Sequence, residues 1–202
     1  CTVYQWLDQS GNGNTATAAS GAEPTIYTGG EIVKENGRVA LFDGHFQNIT
    51  TIATSSNWSS FETYKALSTD TNFVTYAGDD NPNSHSLLAY SGLNNSSYIR
   101  NLGSPSFFQS GTTQSFSTMA DVYTKLAVDS TILLSLINGD NSTWDAFYLG
   151  NYNNGVFTFD SYLQEQIFYT SDKSTDRADI EENVGDYFTQ NTPLLDTYSG
   201  AA

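Results

Sequence analysis

The sequence contains few basic residues. Seven Lys and Arg side chains stand against 22 Asp and Glu, which gives a formal net charge of −15. A surface of this sign repels phosphate backbones and anionic lipid headgroups. The charge balance therefore excludes nucleic-acid binding. Because no apolar run approaches the ~18 residues of a membrane span, we also predict no membrane insertion.

Cysteine occurs once, at Cys1, and histidine twice, at His45 and His85. A single Cys excludes an internal disulfide and a cysteine-based metal site. Neither His lies near a nucleophile motif that would indicate a Ser-His-Asp hydrolase. Mature bacterial lipoproteins begin with a lipidated Cys and a polar tether, whereas residues 3–7 here have the pattern of a packed strand. We expect Cys1 to mark where a longer polypeptide was cut, with lipidation as the alternative.

Ser, Thr, Asn and Gly are abundant instead, and aromatic residues make up 14 % of the chain. This mixture is typical of many short strands joined by polar turns, and Asn36-Gly37 is a strong hairpin signal. We predict strands at 31–34, 38–42, 57–66, 73–77, 86–90, 98–102, 120–126, 131–137, 146–149, 156–159 and 162–169. Their spacing favours an all-β fold, a two-sheet antiparallel β-sandwich or jelly roll.

One short helix is predicted near the C-terminus, after a cap at Asp172 or Ser174. Ile180, Val184, Tyr187 and Phe188 have helical spacing and predict a single face packed against the sandwich. We assign residues 1–190 to one β-sandwich module and residues 191–202 to a tail or linker.

The segment 11–16, GNGNTA, fits the G-x-G-x-x-[GA] pattern of a dinucleotide-binding loop. That function needs a helix N-terminus after the glycines to bind the pyrophosphate, and residues 15–24 have no apolar positions at helical spacing. We therefore predict a tight turn without a nucleotide. In this turn Gly11 and Gly13 adopt positive φ, and Asp8 and Ser10 bond to local backbone.

Motifs at both ends of the chain carry a family resemblance. Residues 6–14 (WLDQSGNGN) and 33–44 (VKENGRVALFDG) form the first group, and residues 148–152, 155–160, 163–172 and 177–187 form the second. Together they resemble arabinofuranosidase B catalytic-domain-like sequences, of the concanavalin A-like lectin/glucanase group that includes laminin-G-like domains. The resemblance spans residues 1 to about 190 and implies a concanavalin A-like jelly roll.

The family also indicates a setting, since its modules are frequent in phage tail and other virion proteins and in bacterial surface proteins. The resemblance thus implies a non-enzymatic structural or adhesive module of a larger extracellular or virion protein, with surface glycans as candidate ligands. Several dozen residues that usually precede the first motif are missing, and residues 194–202 resemble the opening of such a stretch. We therefore expect other copies of the chain, or neighbouring domains, as partners.

A glycoside hydrolase resembling arabinofuranosidase B is the alternative function. Such enzymes need two carboxyl groups at the scissile bond, and the E-x-D-x-E run of sandwich glucanases is absent. Glu165 is the best candidate acid, because strict alternation places it with Leu163, Ile167 and Tyr169 on an apolar face that would raise its pKa. A purely structural hydrogen-bonding role for Glu165 is the other interpretation. No readable partner exists, so we assign no catalytic residue.

Three aromatic residues are candidate ligand-binding residues. Trp58, Trp144 and Tyr152 could stack on sugar rings, or could pack in the core and loops. Residues 79–84 imitate the start of a calcium loop, but Ser84 replaces the required Gly and Tyr90 stands where the bidentate Glu belongs. We predict a turn there and no resident cofactor or metal, leaving calcium elsewhere, on Asp and backbone carbonyls, as an open alternative.

Overall fold

The computed structural model describes residues 1–42, 54–66, 72–74, 85–90, 99–100, 103–126, 128–144, 151–152, 157–158 and 162–189. In chain order the elements there are β1 (Gln5–Trp6), β2 (Ala16–Thr17), β3 (Tyr27–Thr28), β4 (Glu31–Ile32), β5 (Lys34–Glu35), β6 (Arg38–Val39), β7 (Leu41–Phe42), β8 (Trp58–Lys65), β9 (Asn72–Val74), β10 (His85–Tyr90), β11 (Ile99–Arg100), β12 (Ser106–Gln109), β13 (Thr112–Gln114), α1 (Met119–Leu126), β14 (Ile132–Gly139), β15 (Asn151–Tyr152), β16 (Phe157–Thr158), β17 (Tyr162–Tyr169) and α2 (Arg177–Thr189). This is a mostly β fold with antiparallel sheets and two short helices, consistent with the predicted all-β class.

The largest sheet has six strands in the order β13-β12-β14-β8-β17-β7, and every neighbouring pair is antiparallel. Its three long strands, β8, β14 and β17, coincide with predicted strands. β8 and β14 are buried along almost their whole length. Both faces of the sheet are therefore covered, which explains why β14 has a nearly continuous apolar sequence.

Two clusters of buried side chains cover the two faces of this sheet. The first, called here the inner core, includes Trp58, Tyr64, Leu134, Leu136 and Leu163. The second, the helix-side core, consists of Phe61, Leu133, Ile137, Val184 and Phe188. Because successive side chains on a strand point to opposite faces, β8 contributes to both cores.

Several shorter predicted elements are confirmed. β5 and β6 form the hairpin expected at Asn36-Gly37, and both turn residues have positive φ, 49° and 73°, as a type I′ turn requires. Strands β9, β10, β11 and β16 lie within the predicted ranges or one residue outside them. The strand predicted at 146–149 and the tail at 191–202 lie outside the described residues.

The strand predicted at 120–126 is wrong, since this segment is helix α1. Met119, Val122 and Leu126 are its buried residues and share one helical face. Thr118 caps the helix, because its Oγ1 accepts the backbone N–H of Asp121 at 3.1 Å, and Asp121 Oδ2 accepts the N–H of Ser117 at 2.9 Å. These two hydrogen bonds fix the helix start, so the described chain has two helices rather than one.

The C-terminal helix α2 lies where it was predicted, and three of the four predicted face residues, Ile180, Val184 and Phe188, pack in the helix-side core. Val184 and Phe188 are buried, whereas Tyr187 is 47 % exposed. Glu181 is buried in its place, because Ser135 on β14 donates to its carboxylate. Tyr187 instead packs beneath the Arg38 guanidinium, whose carbon lies 4.3 Å from the ring centroid. No helix in the described ranges is long and apolar enough to cross a bilayer.

Candidate functional site

A cleft of about 640 Å³ lies between the N-terminal corner and β17. All residues from Glu165 to Ser171 line it. Since side chains alternate between the two faces of a strand, a cleft that contacts every one of them must run along the strand's edge. Over the described part of this edge, β7 pairs only with Tyr162 and Leu163. The opposite wall comes from the corner, including Trp6, Asp8, Asn12 and Asn14.

The corner is the tight turn that the sequence predicts. Gly11 and Gly13 both have φ of +80°. Asp8 closes the loop, because its Oδ1 accepts the Ser10 N–H at 2.7 Å and its Oδ2 accepts the Asn14 N–H at 2.8 Å. Strand β2 follows instead of a helix, so the turn lacks the helix N-terminus that a dinucleotide pyrophosphate needs.

Hydrogen bonds to Asp8 also lower its pKa. Donation from the Ser10 side chain and from the Asn14 and Ser10 backbone lowers the pKa of Asp8 to about 2. This carboxylate is therefore ionised throughout the physiological pH range, on a loop whose shape its own hydrogen bonds maintain.

Glu165 lies on the opposite wall of the cleft, and its surroundings differ from those predicted. Leu163 pairs with Tyr64 and Glu165 with Thr63, so Gln164 is an extra residue that forms a β-bulge. The bulge places Leu163 in the inner core and Glu165 on the other face, with Ile167 and Tyr169. The expectation that Leu163 shares a face with Glu165 is wrong for this reason. The expected direction of the pKa shift is confirmed, since burial raises the pKa of Glu165.

The cleft thus contains two carboxyl groups with opposite pKa shifts. Burial raises the pKa of Glu165, and hydrogen bonds lower that of Asp8. Sequence reasoning identified Glu165 without a partner and assigned Asp8 only to the turn. The structure brings the two residues, 157 positions apart in the chain, to one cleft.

Sequence reasoning missed a buried carboxyl group behind the cleft. Glu62 on β8 is 2 % exposed and pairs directly with Gln166 of β17, so both side chains point toward the inner core. Glu62 Oε2, Ser60 Oγ and Gln166 Nε2 are buried and have no hydrogen-bond partner among the described residues. Desolvation raises the pKa of Glu62 well above its usual range.

Two of the three predicted ligand-binding aromatics, Trp58 and Trp144, are not among the residues that line this cleft. Trp58 and Trp144 are 2 % and 5 % exposed, and their rings meet edge to face at 5.9 Å in the inner core. Both Trp side chains therefore pack in the core, which was the alternative interpretation. A sugar-stacking role for them stays a prediction. Tyr152 lies in β15, which pairs with β16, and its side chain is outside the described part of the structure.

Most of the residues considered for metal binding or histidine-based catalysis lie outside the described ranges. Residues 79–84 and His45 are not among them, and His85 is described only as part of β10. Within those ranges no three His, Cys, Asp or Glu side chains come together as a metal site. Calcium binding elsewhere stays an untested prediction.

Comparison with known proteins identifies no relative: no family model matches the chain, and neither does any curated protein or solved structure.

Proposed function

We propose that the chain is a non-enzymatic adhesive module that binds surface glycans as part of a larger virion protein, such as a phage tail or fibre, or of a cell-surface protein. The observation that carries this proposal is the cleft of about 640 Å³ beside β17. Its size suits an oligosaccharide segment, since ligand clefts typically measure ~300–1,000 Å³.

The chemistry of the cleft walls supports a sugar ligand. Gln9 and Asn12, both exposed, supply amide donors and acceptors, and the half-buried Trp6 supplies apolar surface. Sugars present hydroxyl groups around apolar ring faces, so mixed amide and aromatic walls match them. The fixed geometry of the corner further favours binding, because little conformational entropy is lost when the ligand enters.

The proposed architecture is a concanavalin A-like two-sheet jelly roll. The six-stranded antiparallel sheet with cores on both faces supports it, as does the separate β9–β10–β11 sheet against which α1 packs. The proposed partners are further copies of the chain or neighbouring domains. Exposed apolar side chains on the β3–β4 and β5–β6 hairpins, at Tyr27, Ile32 and Val39, support this part of the proposal.

Glycoside hydrolysis is the second candidate, and the presence of Asp8 and Glu165 in the lining of one cleft favours it. Two carboxyl groups with pKa values shifted in opposite directions are the usual arrangement of an acid and an ionised partner. In this reaction Glu165 would protonate the leaving oxygen, and Asp8 would stabilise the positive charge that develops on the sugar. Against this candidate, both Asp8 oxygens already accept backbone hydrogen bonds that maintain the corner.

A glycan array, followed by calorimetric titration of the best-bound glycan, tests the proposal. Asn12→Ala should weaken binding at least fivefold, because Asn12 is an exposed cleft residue whose loss leaves the core intact. Asn183→Ala, at an exposed position on α2 outside the cleft, is the matched control. If no glycan binds, the proposal is wrong. If bound glycan releases reducing sugar and Glu165→Gln abolishes the release, the hydrolase is the correct function.

A further inference from the structure

We propose that the exposed face of strands β3–β6 binds the segment 190–202 of a second copy of this chain, and that two copies exchange these segments. This face, called here the meander face, consists of Tyr27, Ile32, Lys34 and Val39. The inference rests on the part of the proposed function that names further copies of the chain as partners. It specifies the surface and the segment that join them.

The meander face is a single exposed surface. The strand register pairs Tyr27 with Ile32 and Lys34 with Val39, and residues directly opposite in antiparallel strands point to the same side. Ile32 and Lys34 are two positions apart on one extended stretch, so they share this side as well. Val33, between them, is buried on the other side. Three apolar side chains, each about half exposed, therefore lie on one surface with one ammonium group.

Lys34 gives this face an unpaired positive charge. Among the basic side chains that the structure describes, Lys34 alone has no ion pair and no hydrogen-bond partner. The others form ion pairs or donate to a backbone carbonyl: Lys65, Lys125, Lys173, Arg177 and Arg38. A segment that suits the meander face therefore combines apolar side chains with a carboxylate.

The segment 190–202, QNTPLLDTYSGAA, has this chemistry. Leu194, Leu195 and Tyr198 supply apolar side chains, and Asp196 is the one charged side chain of the segment. Its charge is opposite to that of Lys34. Pro193 also favours an extended backbone at the residue before it, which suits a segment that lies across a sheet face.

The end of α2 brings this segment close to the β5–β6 hairpin. Arg38 Nε donates to the Tyr187 carbonyl oxygen at 3.0 Å, and α2 ends at Thr189. Leu194 follows Thr189 by five residues, which span about 17 Å when extended. Val39 is the neighbour of Arg38, so each segment begins within reach of a meander face.

The side from which the segment starts favours exchange between copies. Arg38 pairs with Glu35, on the side of the hairpin opposite to the Lys34–Val39 pair. A segment that leaves α2 on the Arg38 side must reverse its direction to cover its own meander face, and the extended preference before Pro193 opposes that reversal. Two copies related by a twofold axis can each supply the segment without it.

Sedimentation velocity of the full chain at low micromolar concentration tests the exchange with charge reversals. Lys34→Glu and Asp196→Lys should each weaken dimerisation at least tenfold, because each places like charges together at the contact. An equimolar mixture of the two variants should dimerise again, since every exchanged segment then meets a face of opposite charge. This recovery also shows that both variants are folded. Glu182→Lys makes the same charge change as Asp196→Lys at an exposed position of α2, and should leave dimerisation intact.

The possible results separate the inference from the proposed function. A mixture that associates no better than either variant alone would overturn the exchange of segments. Native dimers that neither reversal weakens would overturn the inference, while further copies of the chain would stand as partners. A monomeric native chain would refute both the inference and that choice of partner, and glycan binding would still be decided by the array.

Discussion

The Ser135 hydroxyl on β14 donates a 2.7 Å hydrogen bond to Oε1 of Glu181, a buried carboxylate of α2. Arg177, one turn earlier in the helix, donates to Oε2 of the same carboxylate, and its guanidinium carbon lies 3.9 Å from the centre of the Phe108 ring. Sheet and helix are therefore joined by a satisfied polar contact at the edge of the helix-side core. Such a contact also determines which side of the helix faces the sheet.

Glu181→Ala should lower the free energy of unfolding by about 2–4 kcal/mol, because it leaves Ser135 and Arg177 without their shared acceptor. Urea unfolding monitored by circular dichroism measures this change. Glu182→Ala, at the adjacent exposed position, should alter stability by less than about 0.5 kcal/mol. Equal effects of the two substitutions would show that the buried network contributes nothing specific.

Glu62 should make the protein less stable as the pH rises. Its folded-state pKa is raised by desolvation, so its contribution is fully present below the unfolded value of about 4.5 and is lost as the pH rises through the folded pKa. Glu62→Gln keeps the shape without the titration, and should therefore flatten the decline in unfolding free energy as the pH rises above 4.5. Glu31→Gln, on exposed β4, is the control and should leave the slope unchanged.

Asp8 should have the opposite pH dependence. Its folded pKa of about 2 lies below the ordinary 3.8, so its stabilising contribution is present above pH 3.8 and is lost as the pH falls toward 2. Asp8→Asn should thus lower the melting temperature at pH 7, and the gap from the native protein should close near pH 2. A gap of the same size at both values would mean that the carboxylate charge is unimportant. Asp186→Asn, at an exposed position of α2, provides the comparison.

Self-association is the fourth expectation. Tyr27 and Ile32 form an exposed cross-strand pair on the β3–β4 hairpin, and apolar contact must outweigh the repulsion of a chain with net charge −15. Sedimentation velocity at low micromolar concentration should detect oligomers that Ile32→Lys converts to monomers. Val128→Lys changes a similarly exposed apolar residue elsewhere and should not do so. A monomer at all concentrations would contradict the expectation.

The sequence predicted the parts of the fold whose signals are local. The hairpin at Asn36-Gly37 and the turn containing Gly11 and Gly13 depend on backbone conformations that few other residues adopt. The long strand β14 was predictable from its apolar run. A strand that is buried on both faces has a nearly continuous apolar sequence instead of alternating polar and apolar residues. The C-terminal helix followed from the helical spacing of Val184 and Phe188.

The errors have two causes, an ambiguous local pattern at α1 and contacts that are distant in sequence elsewhere. Helix α1 has a short apolar pattern that also suits a strand, and the capping residues Thr118 and Asp121 were the available signal for its start. The buried position of Glu62 could not be predicted, since a Glu within an amphipathic strand normally faces water. That Asp8 and Glu165 line one cleft follows only from the three-dimensional fold.

The bulge at Gln164 makes β17 sensitive to insertions and deletions. One additional residue determines which face each later side chain of β17 occupies, with Phe168 against the inner core and Ile167 against the helix-side core. Deleting Gln164, or inserting a residue after it, would reverse those assignments for the rest of the strand. Related chains should therefore conserve the length of β17 at this point to the residue, because a one-residue change would turn its core-facing side chains to the wrong face.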